Sequence, residues 1–210
     1  MDQSPRQVFD NPVTGEHVVS LTDPRDHPDE VLVAHLFVAP GGRVAAPHLH
    51  PTLTERFLVM KGQVGFIVGD RELVLGPGEH ATVPPRTVHD WWEVGDEVAE
   101  VIVEVTPGVR FDEMVGSMFG LARDGKVSPE GMPDPLQLAV MGSEYGDVIQ
   151  FMSPPRLLQK LTIPPLAAIG RLAGRKPMYE EYLEVEATEA PDPEALAQLT
   201  AEGRLRPFDD

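Results

Sequence analysis

The chain has 210 residues, with 17 Lys or Arg against 34 Asp or Glu and a formal net charge of −17 at pH 7. That balance excludes a phosphate-backbone reader, which needs clustered Lys and Arg. The absence of cysteine excludes disulfides, thiolate ligands and a cysteine nucleophile. Hydrophobic residues make up 41%, enough for a core, and the length allows one domain plus an extension.

The first ten residues carry neither the basic start nor the apolar core of a signal peptide. The longest apolar stretch, 161–170, contains Pro164-Pro165 and is too short to span a bilayer. The expectation is a cytoplasmic protein with no membrane span. Residues 1–30 read as a lead-in: turn residues from Asn11 to Glu16, a short strand over His17–Leu21, then an Asp- and Pro-rich loop over Thr22–Glu30. His17 and His27 belong to no motif and read as surface or turn histidines.

Residues 31–106 read as one β-domain. Val31–Val38 is a strand apolar on both faces, and His35 within it is expected to pack or hydrogen-bond. Strands follow over Arg56–Met60, Gln63–Val68, Glu72–Leu75, His80–Val83, His89–Val94 and Val98–Val105, punctuated by Gly62, Gly69-Asp70, Gly76-Pro77-Gly78, Pro84-Pro85 and Gly95. Short strands at this spacing predict an all-β barrel or sandwich.

After Pro107-Gly108 the pattern changes to a helical extension over 107–175. Phe111, Met114, Val115, Met118, Phe119 and Ala122 recur at three-and-four spacing, an amphipathic helix. A second helix is expected over Leu136–Tyr145. A third spans Pro155–Leu172, with Pro164-Pro165 as a point where it could break. The methionines here read as core filler, and the helices are expected to pack outside the barrel or on a second subunit. Residues 176–210 hold 3 basic and 10 acidic side chains and read as a solvated acidic tail. One short helix is expected in it over Ala195–Ala201, with Asp192 near its N-cap.

One stretch carries chemistry. His48 and His50 are one residue apart, so on a strand both rings leave the same face. Pro51 breaks the line, and Glu55 opens the next apolar run, which could bring a carboxylate back to face two imidazoles. A third histidine, His89, follows a strand and the Pro84-Pro85 turn. Three imidazoles and one carboxylate suit a first-row divalent metal: Fe, Mn, Ni, Cu or Zn.

These residues resemble the two motifs of the cupins, in particular their quercetin-dioxygenase-like metal-binding barrels. Gly42, His48, His50, Glu55 and Gly62 fit the first motif at every position, and Gly78, Pro84 and His89 fit the spacing of the second. Arg86 stands where the family has glycine and Glu93 where it has asparagine; neither is a ligand position. The resemblance covers roughly 31–105. It implies a mainly β fold, a double-stranded β-helix (jelly-roll) barrel, here with an α-helical C-terminal extension. It also implies one metal ion held by His48, His50, Glu55 and His89, and a homodimer formed through the sheets.

Strand parity then assigns a lining. Phe57 and Val59 share the face of Glu55, and Trp91 and Glu93 that of His89, so Phe57, Val59 and Trp91 are candidate substrate contacts while Trp92 points out. They could equally be plain barrel core. Glu55 and Glu93 are the candidate catalytic carboxylates. Glu93 could orient a ligand histidine, act as general base, or sit in water at the rim. The leading reading is a metal-dependent dioxygenase-type oxidoreductase acting on a small, partly apolar or aromatic substrate. A metal-assisted isomerase, lyase or decarboxylase that works without dioxygen stays open, as does a non-catalytic metal or small-molecule binding module.

Overall fold

The computed structural model describes residues 7–26 and 29–183. Two antiparallel sheets face each other. In chain order the strands are β1 (Val8–Asn11), β2 (Glu16–Ser20), β3 (Leu32–Val38), β4 (His48–Leu49), β5 (Thr54–Lys61), β6 (Val64–Val68), β7 (Arg71–Leu75), β8 (His80–Val83), β9 (His89–Glu93), β10 (Ala99–Thr106) and β11 (Gln150–Phe151). One sheet has the order β1-β2-β3-β10-β5-β8 and the other β11-β4-β9-β6-β7.

Period-two patterning sets which side chains meet between the sheets. Leu36 and Val38 of β3, Phe57 and Val59 of β5, Phe66 of β6, Trp91 of β9 and Val101 of β10 form one buried cluster. Gly69, at φ 65°, is the first residue of the two-residue turn that joins Val68 to Arg71, the position where this kind of hairpin needs glycine. Gly65 serves a different need: a Cβ there would lie 2.3 Å from Cε2 of Trp92. Trp92 therefore lies across the β6 backbone, half-buried, rather than projecting freely.

The lead-in is part of the barrel sheet. β1 and β2 form a hairpin whose second strand pairs with β3, Val18 opposite Leu36. Strand β1 was not expected, since Val8-Phe9-Asp10-Asn11 alone is too short and mixed to read as a strand. It forms because β2 offers a partner edge and because α1 packs on it.

The helices are α1 (Val109–Arg123), α2 (Pro135–Glu144), α3 (Arg156–Leu172) and the short α4 (Glu180–Leu183). Asp134 caps α2, its side chain accepting from the N–H groups of Leu136 and Gln137, with Pro135 at the first helical position. Helix α3 runs through Pro164 and Pro165 without a break. Both prolines are exposed, so the carbonyls they leave without an amide partner can be solvated. The helix is held instead by close packing on α2, where a Cβ on Gly170 would come within 2.8 Å of the Leu136 carbonyl. The tail beyond residue 183, including the helix expected over Ala195–Ala201, lies outside the described residues, as does His27.

Helices α1 and α2 pack against Leu32 and Val105 of the barrel, and α3 packs on α2. Residues of α1, α2 and α3 join Leu32, Ala34, Leu36, Val103 and Val105 around one cavity of about 760 Å³. They close the barrel's open end and form the far wall of its interior.

Candidate metal centre

His48 and His50 bracket the end of β4, Glu55 is the second residue of β5, and His89 is the first of β9. Register brings them together: His48 pairs with His89 across β4 and β9, while Pro51 and the turn after it carry Glu55 into the opposite sheet. One ligating atom from each of the four lies within 4.8 Å of the others, and all four residues are buried. Two donors on opposite sides of one first-row ion are roughly 4.4 Å apart, so a few tenths of an ångström of contraction would seat the ion.

The tautomers are fixed by the backbone. Nδ1 of His48 lies 2.9 Å from the Ala46 carbonyl, Nδ1 of His50 2.6 Å from that of Val148, and Nδ1 of His89 3.1 Å from that of Thr87. A carbonyl can only accept, so each Nδ1 carries its proton and each Nε2 presents a lone pair inward. This carbonyl-anchored imidazole is the usual support of a metal-ligating histidine. Nε2 of His50, Nε2 of His89 and Oε2 of Glu55 are buried without a hydrogen bond of normal geometry, although Glu55 Oε2 lies 3.1 Å and 2.8 Å from those two nitrogens. Such orphaned, converging donors fit a divalent cation.

Without the ion the cluster is an electrostatic compromise. Burial pushes His48 down to about 3, with help from His89 and His50. Burial also opposes charge on His50 and on Glu55, but each holds the other's charge. His50 is raised above its ordinary 6.5, and the Glu55 carboxyl is held well below the usual carboxylate range.

The cavity meets this cluster at His48 and Glu55, and it is lined by Phe57, Trp91, Phe111 and Phe151 among many apolar groups. Phe57 and Trp91 are on the cavity wall. Val59 does not line the cavity; it is fully buried in the barrel core. Glu93 is buried beside it in orientation, as parity required, yet it has another partner. Its Oε2 accepts from the backbone N–H of Gly41 at 2.8 Å. Glu93 lies four residues beyond His89, about 13 Å along the strand. His35 is packed as expected, its ring stacked on Phe37 at 4.1 Å and its Nε2 3.3 Å from Glu100.

Two features of the site were invisible in the sequence. The His50 anchor comes from Val148, 98 residues away, and β11 pairs with β4 so that Phe151 faces His48. The C-terminal extension thus completes the metal cluster's surroundings. The second is Glu16, buried on the cavity wall with its carboxyl raised to about 7. Burial is the cause, against a 2.5 Å hydrogen bond from the Thr14 hydroxyl. The departure at Arg86 has a plain consequence: its φ is 66°, the left-handed region that glycine enters at no cost. Its N–H still donates to the His50 carbonyl at 2.7 Å, so the turn keeps its geometry.

A two-sheet barrel with a three-histidine, one-carboxylate cluster is the arrangement that the resemblance to the cupin motifs implied. Residues 34–105 match the family model described as a cupin domain, and the two sheets they help to build have the cupin fold. Two germin-like proteins of Arabidopsis thaliana are similar to it. Subfamily T member 2 is 44% identical over 69 residues, 30% of this chain and 31% of the relative. Subfamily T member 3 is 30% identical over 107 residues, 49% and 44% of the two chains. The match therefore spans less than half the length of either curated relative. Among solved structures, a sugar phosphate isomerase of the cupin superfamily from Silicibacter pomeroyi is 21% identical with a TM-score of 0.43, covering 50% of this chain and 72% of that one.

Proposed function

We propose that this protein is a metal-dependent oxidoreductase of the dioxygenase type, acting on a small, largely apolar or aromatic substrate. The observation that carries the reading is the convergence of three Nε2 lone pairs and one carboxylate at one end of a mostly apolar cavity of about 760 Å³, a size that encloses a drug-sized molecule. His48, His50, His89 and Glu55 would hold the ion, which when bound supplies Lewis acidity and, if redox-active, electron transfer to dioxygen. The carbonyls of Ala46, Val148 and Thr87 keep the three rings aimed. Phe57 and Trp91 contact the apolar body of the substrate and exclude water. Glu55 is the only anionic ligand, so it alone lowers the site's net positive charge. On the same proposal the protein works in the cytoplasm as a homodimer paired through its sheets, to be tested by fractionation and light scattering.

The test starts with protein purified without added metal, analysed for its native ion, then refilled with Fe(II). Dioxygen uptake is followed against a panel of apolar aromatic compounds. Uptake coupled to substrate loss, and abolished in metal-saturated Glu55→Gln, is the expected result. Turnover without dioxygen uptake, retained in Glu55→Gln, overturns the oxygenase reading in favour of an isomerase or lyase. Ligand binding without turnover of any compound leaves a binding module.

A further inference from the structure

Helix α3 presents a face that nothing in the described chain covers. Only Ala167 and Gly170 of it are buried, against α2. On the other side Leu157 is 73% exposed, Leu161 66% and Leu172 90%, with Leu158 and Ile169 beside them about half exposed. At 100° per residue, 157, 161, 165, 168 and 172 fall on one stripe, an apolar face as wide as those that normally face a core.

The charge around this stripe is the reverse of the chain's. From 148 to 179 there is no Asp or Glu, while Arg156, Lys160, Arg171, Arg175 and Lys176 lie within it, in a chain of net charge −17. Arg156, Lys160 and Arg171 border one edge of the stripe. Arg171 donates to Ser143 Oγ at 2.9 Å and lies 3.9 Å from Glu144, and Arg175 pairs with Asp134 at 2.9 Å. Arg156 and Lys160 are exposed.

We infer that this face docks on an anionic lipid bilayer, with α3 lying in the interface plane. An amphipathic helix with leucines on one face and basic groups at its edge binds such surfaces by burying the apolar side while Lys and Arg reach the headgroups. The acidic remainder of the protein is screened beyond about 10 Å at 0.1 M salt, so the local basic edge decides. A two-fold contact between two copies of α3 fits less well. It would set Arg156, Lys160 and Arg171 of each copy near those of the other, with no acidic side chain on either stripe.

The same part of α3 borders the cavity. Exposed Ser153, Pro154, Arg156 and Lys160 line it where it reaches the surface. Docking would therefore place the cavity's entrance against the membrane, which suits a substrate that partitions into lipid. That last clause rests on the proposed function; the docking does not.

The full-length, metal-loaded protein is tested by cosedimentation with vesicles of 3:1 phosphatidylcholine and phosphatidylglycerol, and with phosphatidylcholine alone, at 0.1 M salt. Binding to the anionic vesicles is expected, at least tenfold weaker with phosphatidylcholine alone. Leu157→Asp/Leu161→Asp should cut it at least tenfold, as should Arg156→Glu/Lys160→Glu. All four sites are exposed, and unchanged thermal melts show the variants folded. No binding by wild type overturns the inference. If size-exclusion chromatography with light scattering then shows a dimer that the leucine variant dissociates, the face joins two copies. If removing residues 184–210 unmasks vesicle binding that the full chain lacks, the acidic tail covers the face instead. Because the readout is lipid binding alone, its failure leaves the metal chemistry untouched, and absent turnover leaves the docking untouched.

Discussion

Replacing Glu16 by glutamine should stabilise the protein at alkaline pH and do little at acid pH. Glu16 is buried on the cavity wall, and burial raises its carboxyl from 4.5 to about 7. A raised folded-state value means that the folded protein holds its proton where the unfolded chain has lost it. The associated stability is fully present below about pH 4.5, declines as pH rises, and is gone above about pH 7. At about 1.4 kcal/mol per pH unit, that interval is worth roughly 3 kcal/mol. Glutamine stays neutral throughout and still offers an oxygen to the Thr14 hydroxyl, so the variant lacks this decline. For a chain of this length about 1 kcal/mol moves Tm by roughly 2–4 °C, which predicts Glu16→Gln melting about 6–12 °C above wild type at pH 8 and near it at pH 4.5. Scanning calorimetry of both proteins in the same metal state checks this. Asp112, also raised by burial to about 6 despite Arg25 at 3.4 Å, titrates in both and cancels in the comparison. A Tm difference that does not change between pH 4.5 and 8 would refute the reasoning.

Metal content should be about one first-row ion per chain and should be lost in His48→Ala/His50→Ala, as read by elemental analysis; full retention removes the site. Because Glu55, against burial, raises His50 above its ordinary 6.5, metal affinity should already be falling with decreasing pH above that value, approaching about tenfold per pH unit as His50 protonates, measured by competition with a chelator. Gly65→Ala places a Cβ 2.3 Å from the Trp92 ring and should cost about 1–3 kcal/mol, seen as a lower denaturant midpoint. Truncation after Pro107 should aggregate, since it uncovers the barrel's open end and removes the Val148 anchor of His50; a soluble truncation that binds metal with native affinity would show the extension to be dispensable.

Most of the barrel was legible because short apolar runs stand between glycine and proline turns, and in β8 and β9 burial alternates residue by residue. Val98 to Val105 reads as a long strand by itself, and β10 is one, buried between β3 and β5. The metal cluster was legible for a related reason: His-x-His on a strand fixes two rings on one face, and glycine punctuation sets where the chain reverses. Glu93 shows where that logic stops. Parity gives the face a side chain leaves from, not how far along the strand a partner lies, and the partner proved to be the Gly41 amide. Pro164-Pro165 shows the opposite failure: a local helix-breaking rule yielded to close packing of α3 on α2 around Gly170.

The sequence by itself determined the series of short strands, the shared face of His48 and His50 and the helical character of the extension, because each rests on spacing within a few residues; the convergence of all four ligands was what the resemblance to the cupin motifs implied. Tertiary structure decided what those pieces enclose. Only folding brings the Val148 carbonyl to His50, closes the barrel's end with α1, α2 and α3 to make a cavity, raises Glu16 by burying it there, and leaves the leucines of α3 facing outward. These depend on contacts between segments many residues apart, and neither side-chain period nor local propensity carries that information.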